Sequence, residues 1–163
     1  MFFQQFFQDI TTKETLLSST SQVVPIDLST QRPIKIKDCL PLSTLKSIHI
    51  PLSFVQLPPL TSSHCIREQD IFYDHIDFNH HVNNTHYVSF AERSLSSTFL
   101  KKARLKRIRI AYKQAALLGD KVQIQTRICP GFTDHQIVST PEPDTPKKYF
   151  ARVRLSWERK QKD

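Results

Sequence analysis

An α+β fold, an antiparallel sheet with one helix over one face, is predicted by three observations. Period-two alternation dominates the second half of the chain. Arg107, Arg109 and Ala111 alternate against Ile108, Ile110 and Tyr112, Val122, Ile124, Thr126 and Ile128 recur at every second position, and Tyr149, Ala151, Val153, Leu155 and Trp157 share a face opposite Arg152 and Arg154. One stretch, residues 83 to about 95, instead repeats at three and four residues through Tyr87, Phe90, Ala91, Ser94 and Leu95. The later alternating runs follow one another across short turns, which suits antiparallel pairing.

In chain order, residues 1–28 hold two apolar stretches, Phe2 to Ile10 and Leu16 to Leu28, with Val23, Val24 and Ile26 suited to a strand. Ser29-Thr30-Gln31-Arg32-Pro33 reads as a turn-like break. Residues 37–60 carry prolines at 41, 51, 58 and 59, which remove backbone donors and restrict their neighbours, so this segment is expected to be a linker. Ile66 to His75 reads as a strand. The helix from residue 83 follows, capped by Asn83 or Asn84. Strands over Leu105 to Ala115, Val122 to Ile128, His135 to Thr140 and Tyr149 to Trp157 complete the set. Gly119-Asp120 forms a turn and Pro141 to Pro146 a loop. A helix of about three turns can cover one face of such a sheet.

Composition narrows the function classes. With 163 residues, 39% of them hydrophobic, the chain can build one well-packed domain with a remainder. The 2 glycines leave no room for GxGxxG or GxxxxGK[ST], so nucleotide chemistry of those kinds is excluded. No apolar run approaches a bilayer span, and the apolar start lacks the basic flank of a signal peptide. No membrane association is expected. Cys39, Cys65 and Cys129 are far apart, the pattern of reduced thiols in a cytoplasmic protein. The formal charge of +8 suits an acidic partner, protein or nucleic acid alike. No groove-reading motif or aromatic-plus-basic RNA signature is present, so nucleic acid is not expected.

The densest chemistry lies between strand and helix, in Asp74-His75-Ile76-Asp77-Phe78-Asn79-His80-His81-Val82-Asn83-Asn84. If the chain remains extended there, Asp77, Asn79 and His81 project to one side. An acid, an amide and an imidazole then meet beside a helix N-terminus, whose free N–H groups and positive partial charge can receive developing negative charge on a carbonyl oxygen. That arrangement suits ester or thioester hydrolysis. Metal binding is the competing reading of His64, His75, His80, His81 and His86. However, His81 and His86 lie about 140° apart around a helix and share no face, so no metal is expected.

These residues resemble the DxNxHVNNxxY motif of the acyl-acyl carrier protein thioesterases, with Asp77, Asn79, His81, Val82, Asn83, Asn84 and Tyr87 at the matching positions. Ile110-Ala111-Tyr112-Lys113 and Leu118-Gly119-Asp120-Lys121-Val122 are similar to that family's strand and turn. Ser21 through Asp27 and Thr30-Gln31-Arg32-Pro33 are similar to the last strand of its first domain. The resemblance implies hotdog folds, each an antiparallel sheet wrapped around one long helix. It implies a remnant of a first hotdog over residues 1–36, a linker over 37–60 and a complete C-terminal hotdog over 61–163. It also implies hydrolysis of acyl carrier protein thioesters in fatty-acid synthesis, without a cofactor. Asp77 would position or act as base, Asn79 would contact carbonyl or water, and His81 would handle the proton. Asn83, Asn84, Tyr87 and Phe90 are the expected substrate-binding residues, and Phe78 and Phe99 are further aromatic candidates. Lys101, Lys102, Arg104, Lys106, Arg107 and Arg109, extended by Arg152 and Arg154, form a basic stripe. Within it Arg107, Arg109, Arg152 and Arg154 are the expected docking residues for the acidic carrier protein. Ala115 stands where the family usually has glutamate, and Val23 where it often has tryptophan. Two alternatives follow from the departures: an impaired acyl- or carrier-binding remnant, and a self-associating single-hotdog thioesterase for coenzyme A esters.

Overall fold

The computed structural model describes residues 2–27, 29, 30, 32–35, 38 and 56–160. The chain divides into two units, Met1–Phe54 and Val55–Asp163. Cys39 and most of the segment expected as a linker lie outside the described residues.

In the first unit, β1 (Phe2–Gln8) and β2 (Thr15–Gln22) form an antiparallel hairpin registered from Phe2↔Gln22 to Gln8↔Thr15. Its turn is held by Asp9, whose Oδ1 accepts from Thr11 N and Thr12 N at 2.8 Å each. The second strand therefore ends before Val23 and Val24, which β propensity alone would have included. Cross-strand pairing, not propensity, sets its limits, and Pro25 follows without an N–H to donate. The expected break at residues 29–33 is an Asp27 turn. Asp27 Oδ1 accepts from Ser29 N at 3.0 Å and Thr30 N at 2.7 Å.

The second unit is built on a five-stranded antiparallel sheet in the order β3-β5-β6-β7-β4. The strands are β3 (Cys65–Asp70), β4 (Ala103–Tyr112), β5 (Lys121–Cys129), β6 (Phe132–Ser139) and β7 (Tyr149–Arg159). The helix α1 (Asn84–Arg93) lies on one face and sends Tyr87, Phe90 and Ala91 into a core with Val122, Ile124, Ile137, Ala151, Val153 and Leu155. Burying the rings of Tyr87 and Phe90 stabilises the fold by roughly 2–3 kcal/mol each. Sheet and helix thus take the expected arrangement, but the helix is shorter than predicted. It has 10 residues, and a separate α2 (Ser97–Lys102) follows. The serines at the junction divide them. Ser94 Oγ donates to Ala91 O at 2.7 Å, and Ser96 Oγ accepts from Phe99 N at 3.2 Å, starting a new helix. Phe99 meets Trp157 edge-on, with ring centroids 5.4 Å apart.

The strand expected from Ile66 to His75 stops at Asp70. A single 3₁₀ turn, Tyr73–His75, carries the chain to the loop before α1. Gly119, at φ 84°, makes the predicted turn, and Asp120 Oδ2 closes it by accepting from Leu117 N at 2.9 Å. The central strand β6 is buried on both faces. Its outer side is covered in part by residues that the sequence assigned to the linker: Leu57 is buried, its carbonyl accepts from Arg152 Nη1 at 3.0 Å, and Leu60 N donates to Gln136 Oε1 at 3.3 Å. The second unit therefore takes in the end of that segment.

Beneath α1 sits a buried polar cluster. His135 Nδ1 is 3.2 Å from Ser94 Oγ and 3.0 Å from Thr126 Oγ1, and its Nε2 is 2.8 Å from Thr133 Oγ1. Burial pushes the His135 pKa down to about 4 against an ordinary value of 6.5, with nearby Asp134 opposing only weakly. As pH falls from 6.5 towards 4, the unfolded chain gains a proton that folded His135 does not take. Stability should therefore decline through that window, by roughly 3 kcal/mol in full. Urea melts across the window check this: His135→Gln should flatten the slope, and an unchanged slope would remove His135 as its source.

Candidate active site

The segment from residue 77 to 84 is not extended. Asp77 N donates to His81 O at 2.9 Å, His80 N donates to Asp77 O at 3.0 Å, and Ile76 pairs across the turn with Val82. The loop is a small closed hairpin, so strict alternation of Asp77, Asn79 and His81 does not apply. The physical reason is local. Asp77 Oδ1 accepts from Asn79 N at 2.8 Å, an Asx turn that competes with extended backbone. His80 adopts φ 61°, in the left-handed region that a non-glycine residue enters at a penalty of about 1–2 kcal/mol. Such outliers gather at functional loops.

Three bonds fix this hairpin to the scaffold. Asn83 N donates to His75 O at 2.8 Å, and Val82 N donates to Ala116 O at 2.9 Å. Tyr112 Oη donates to Asn84 O at 3.1 Å. Asn83 caps α1, its Oδ1 accepting from Thr85 N at 3.0 Å and Thr85 Oγ1 at 2.8 Å. Asp77 is half-buried, while Asn79, His80 and His81 are exposed and Phe78 projects fully into solvent. The three candidate catalytic side chains are thus displayed on one tight turn at the N-terminus of α1. Main-chain atoms link Asn79 and His81 to Asp77, but among the described residues no hydrogen bond joins one of the three side chains to another.

The expected substrate-binding residues divide. Asn83 and Asn84 lie at the helix start, as the sequence placed them. Tyr87 and Phe90 are buried in the core, 2% and 1% exposed, and are supporting residues rather than a surface for substrate. Tyr87 Oη accepts from Ala116 N at 3.0 Å, and its burial raises the phenol pKa. Ala115 lies beyond the end of β4, exposed on the segment whose next residue holds Val82. Sequence reasoning did not single out His75. It is buried, its Nδ1 accepts from Phe72 N at 3.1 Å, and its carbonyl anchors Asn83. Burial lowers its pKa, with Asp74 acting in the opposite direction. Its ring also packs against His86 and Phe90, with centroids 4.9 and 5.1 Å away. Nothing in the spacing distinguished it from the other histidines.

The basic stripe is real in register but partly neutralised. Arg109 lies directly opposite Arg154, Arg107 opposite Ser156 and Ala111 opposite Arg152, which puts the four arginines on the sheet face away from the core. Arg154 is committed to Asp134, with Nε and Nη2 donating at 2.6 and 2.9 Å. Arg127 Nη2 donates to the same carboxylate at 2.8 Å. Burial works to raise the Asp134 pKa, but the two guanidinium groups outweigh it and hold the carboxyl below its usual range. Arg104 and Lys106 pair with Glu158. Arg107 stays exposed.

Among the described residues no group of three or more His, Cys, Asp or Glu is placed to hold a metal ion, and no helix is long and apolar enough to cross a membrane. The sheet around α1 and the hairpin at its N-terminus define a hotdog domain of the thioesterase kind. The model of the acyl-ACP thioesterase C-terminal domain matches residues 62–158, and the chain belongs to that family. Among curated proteins none matches it by sequence. Solved structures share the fold at low identity. An acyl-ACP thioesterase from Bacteroides thetaiotaomicron superposes with a TM-score of 0.72 at 15% identity, over 96% of this chain and 63% of that one. The 12:0-ACP thioesterase from Umbellularia californica gives 0.71 at 16%, over 94% and 60%. A structure named as an oleoyl thioesterase from Lactobacillus plantarum gives 0.71 at 20%, over 97% and 62%. The chain therefore spans about three fifths of the length of these proteins.

Proposed function

We propose that this chain is an acyl-[acyl carrier protein] thioester hydrolase that releases free fatty acid in fatty-acid biosynthesis. The observation that carries the reading is the Asp77–Asn79–His81 hairpin held at the N-terminus of α1, in a chain of this family. Water attacks the thioester carbonyl beside the helix start, where first-turn N–H groups favour the oxyanion. Asp77 positions or deprotonates the water, Asn79 contacts carbonyl or water, and His81 delivers the proton to the departing thiol. No cofactor is required. The lone half-buried Cys65 and Cys129 fit a reducing compartment, the cytoplasm. Residues 1–36 are read as belonging to a first hotdog, the domain that in the family holds much of the acyl pocket.

The test is single-turnover hydrolysis of a panel of acyl carrier thioesters; a folded protein that cleaves none of them sinks the reading. Ala115 favours a second reading, a carrier-binding remnant with impaired chemistry, because alanine carries no proton.

Docking of the acidic carrier falls to the stripe, and of Arg107, Arg109, Arg152 and Arg154 it is Arg107 that is exposed. Arg107→Glu should lower kcat/KM for carrier esters by roughly tenfold at low salt, with the difference shrinking as salt rises. An effect independent of ionic strength would count against electrostatic docking.

A further inference from the structure

We propose that the cleft lined by Lys113, Gln114, Lys147, Tyr149 and Arg152 is an anion site that takes the phosphate of a phosphorylated pantetheine arm. The inference rests on the thioesterase reading for the identity of the arm. The site itself rests on charge and placement.

Three cations reach this cleft from three places: the end of β4, the loop before β7 and the body of β7. Lys113 N and Gln114 N both donate to Phe150 O, at 2.8 and 3.4 Å, which draws the first of these against the others. The cleft is about 400 Å³, ample for a phosphate and the beginning of its arm. No carboxylate lines it. Four other cations of this sheet are matched to acids, Arg104 and Lys106 to Glu158, and Arg127 and Arg154 to Asp134. Lys113, Lys147 and Arg152 have no ion-pair partner among the described residues. Like charges gathered around a concavity repel one another until an anion enters. Arg152 is held in place by its bond to Leu57 O, and its buried Nε has no acceptor among the described residues. Lys147 Nζ lies 5.7 Å from the centre of the Tyr149 ring, which leaves the phenol beside the cations at the cleft wall.

The cleft also lies at a useful distance from the reacting loop. Ala116, whose carbonyl holds Val82, is three residues from Lys113, a span of at most about 11 Å of extended chain. A phosphate bound by the lysines would leave a flexible arm to carry its thioester along this segment, past Ala115, to Asp77. Coenzyme A and the carrier protein present the same phosphorylated arm, so the site serves either source.

Calorimetric titration with 4′-phosphopantetheine and with pantetheine tests the proposal. The phosphorylated compound should bind at least about tenfold more tightly, and Lys113→Gln combined with Lys147→Gln should abolish the difference. Both lysines are exposed, so the double variant should melt like the parent. Equal affinity of the two compounds in the parent, or a phosphate preference that survives the double variant, overturns the site. Repeating the titration with coenzyme A and with unacylated holo-carrier identifies the source, as the one whose binding the double variant weakens more. Single-turnover hydrolysis of acyl carrier thioesters is read separately. Failure of the parent to hydrolyse any acyl carrier thioester would count against the thioesterase reading while leaving the binding comparison intact.

Discussion

Asp77→Asn should reduce hydrolysis of acyl carrier thioesters by roughly 10²–10⁴-fold while leaving the protein folded. The asparagine side chain keeps an oxygen that can accept from Asn79 N, so the Asx turn and the hairpin survive. Only the charge and the capacity to take a proton are lost. Asp77→Ala removes the turn as well and should lower stability by about 1 kcal/mol. Comparing the two separates chemistry from architecture. If Asp77→Asn retained full single-turnover rates and Asp77→Ala did not, the residue would only order the loop.

Ala115→Glu should raise turnover by roughly 10²-fold, the lower end of what a positioned acid or base contributes. Residue 115 is exposed and flanked by the segment that meets Val82 through Ala116, so a longer side chain has room and lies near the hairpin. A rate increase that disappears when Asp77 is also changed would show the two carboxylates acting on one substrate. An unchanged rate, with a folded variant and bound carrier, would show that something other than the missing acid limits the parent. Running both variants on the same ester panel gives each a matched control.

The sheet could be read from sequence because its inward residues alternate and its turns carry their own signals. Val122, Ile124 and Thr126 are buried while Gln123, Gln125 and Arg127 are less so, and Gly119 adopts the left-handed conformation its turn needs. The motif before α1 was legible for the same reason: its polar residues are dense and end in a cap, Asn83. Its conformation was not. Alternation describes an extended chain, whereas one Asp77 side-chain bond closes the loop into a hairpin. The division of the helix was also hidden, because Leu95 continues the apolar spacing through serines that end one helix and begin another. Tyr87 and Phe90 show the limit of spacing as a guide to substrate contact: the same period places a ring in a pocket or in a core. The commitment of Arg154 to Asp134 depends on neighbouring strands, which no local pattern reveals.

The match to the family's C-terminal domain begins at residue 62, yet Leu57 and Leu60 are already fastened to Arg152 and Gln136. Both hydrogen bonds take main-chain atoms from the earlier segment, a carbonyl at 57 and an amide at 60, while the Leu57 side chain is itself buried. Main-chain atoms are common to nearly all residue types, so the hydrogen bonds themselves constrain the side chain little, whereas burial calls for an apolar residue at 57. Two boundaries therefore coexist in the same stretch of chain. One is where the match to the family's C-terminal domain begins, at residue 62, and the other lies at or before Leu57, which is already bonded to the sheet.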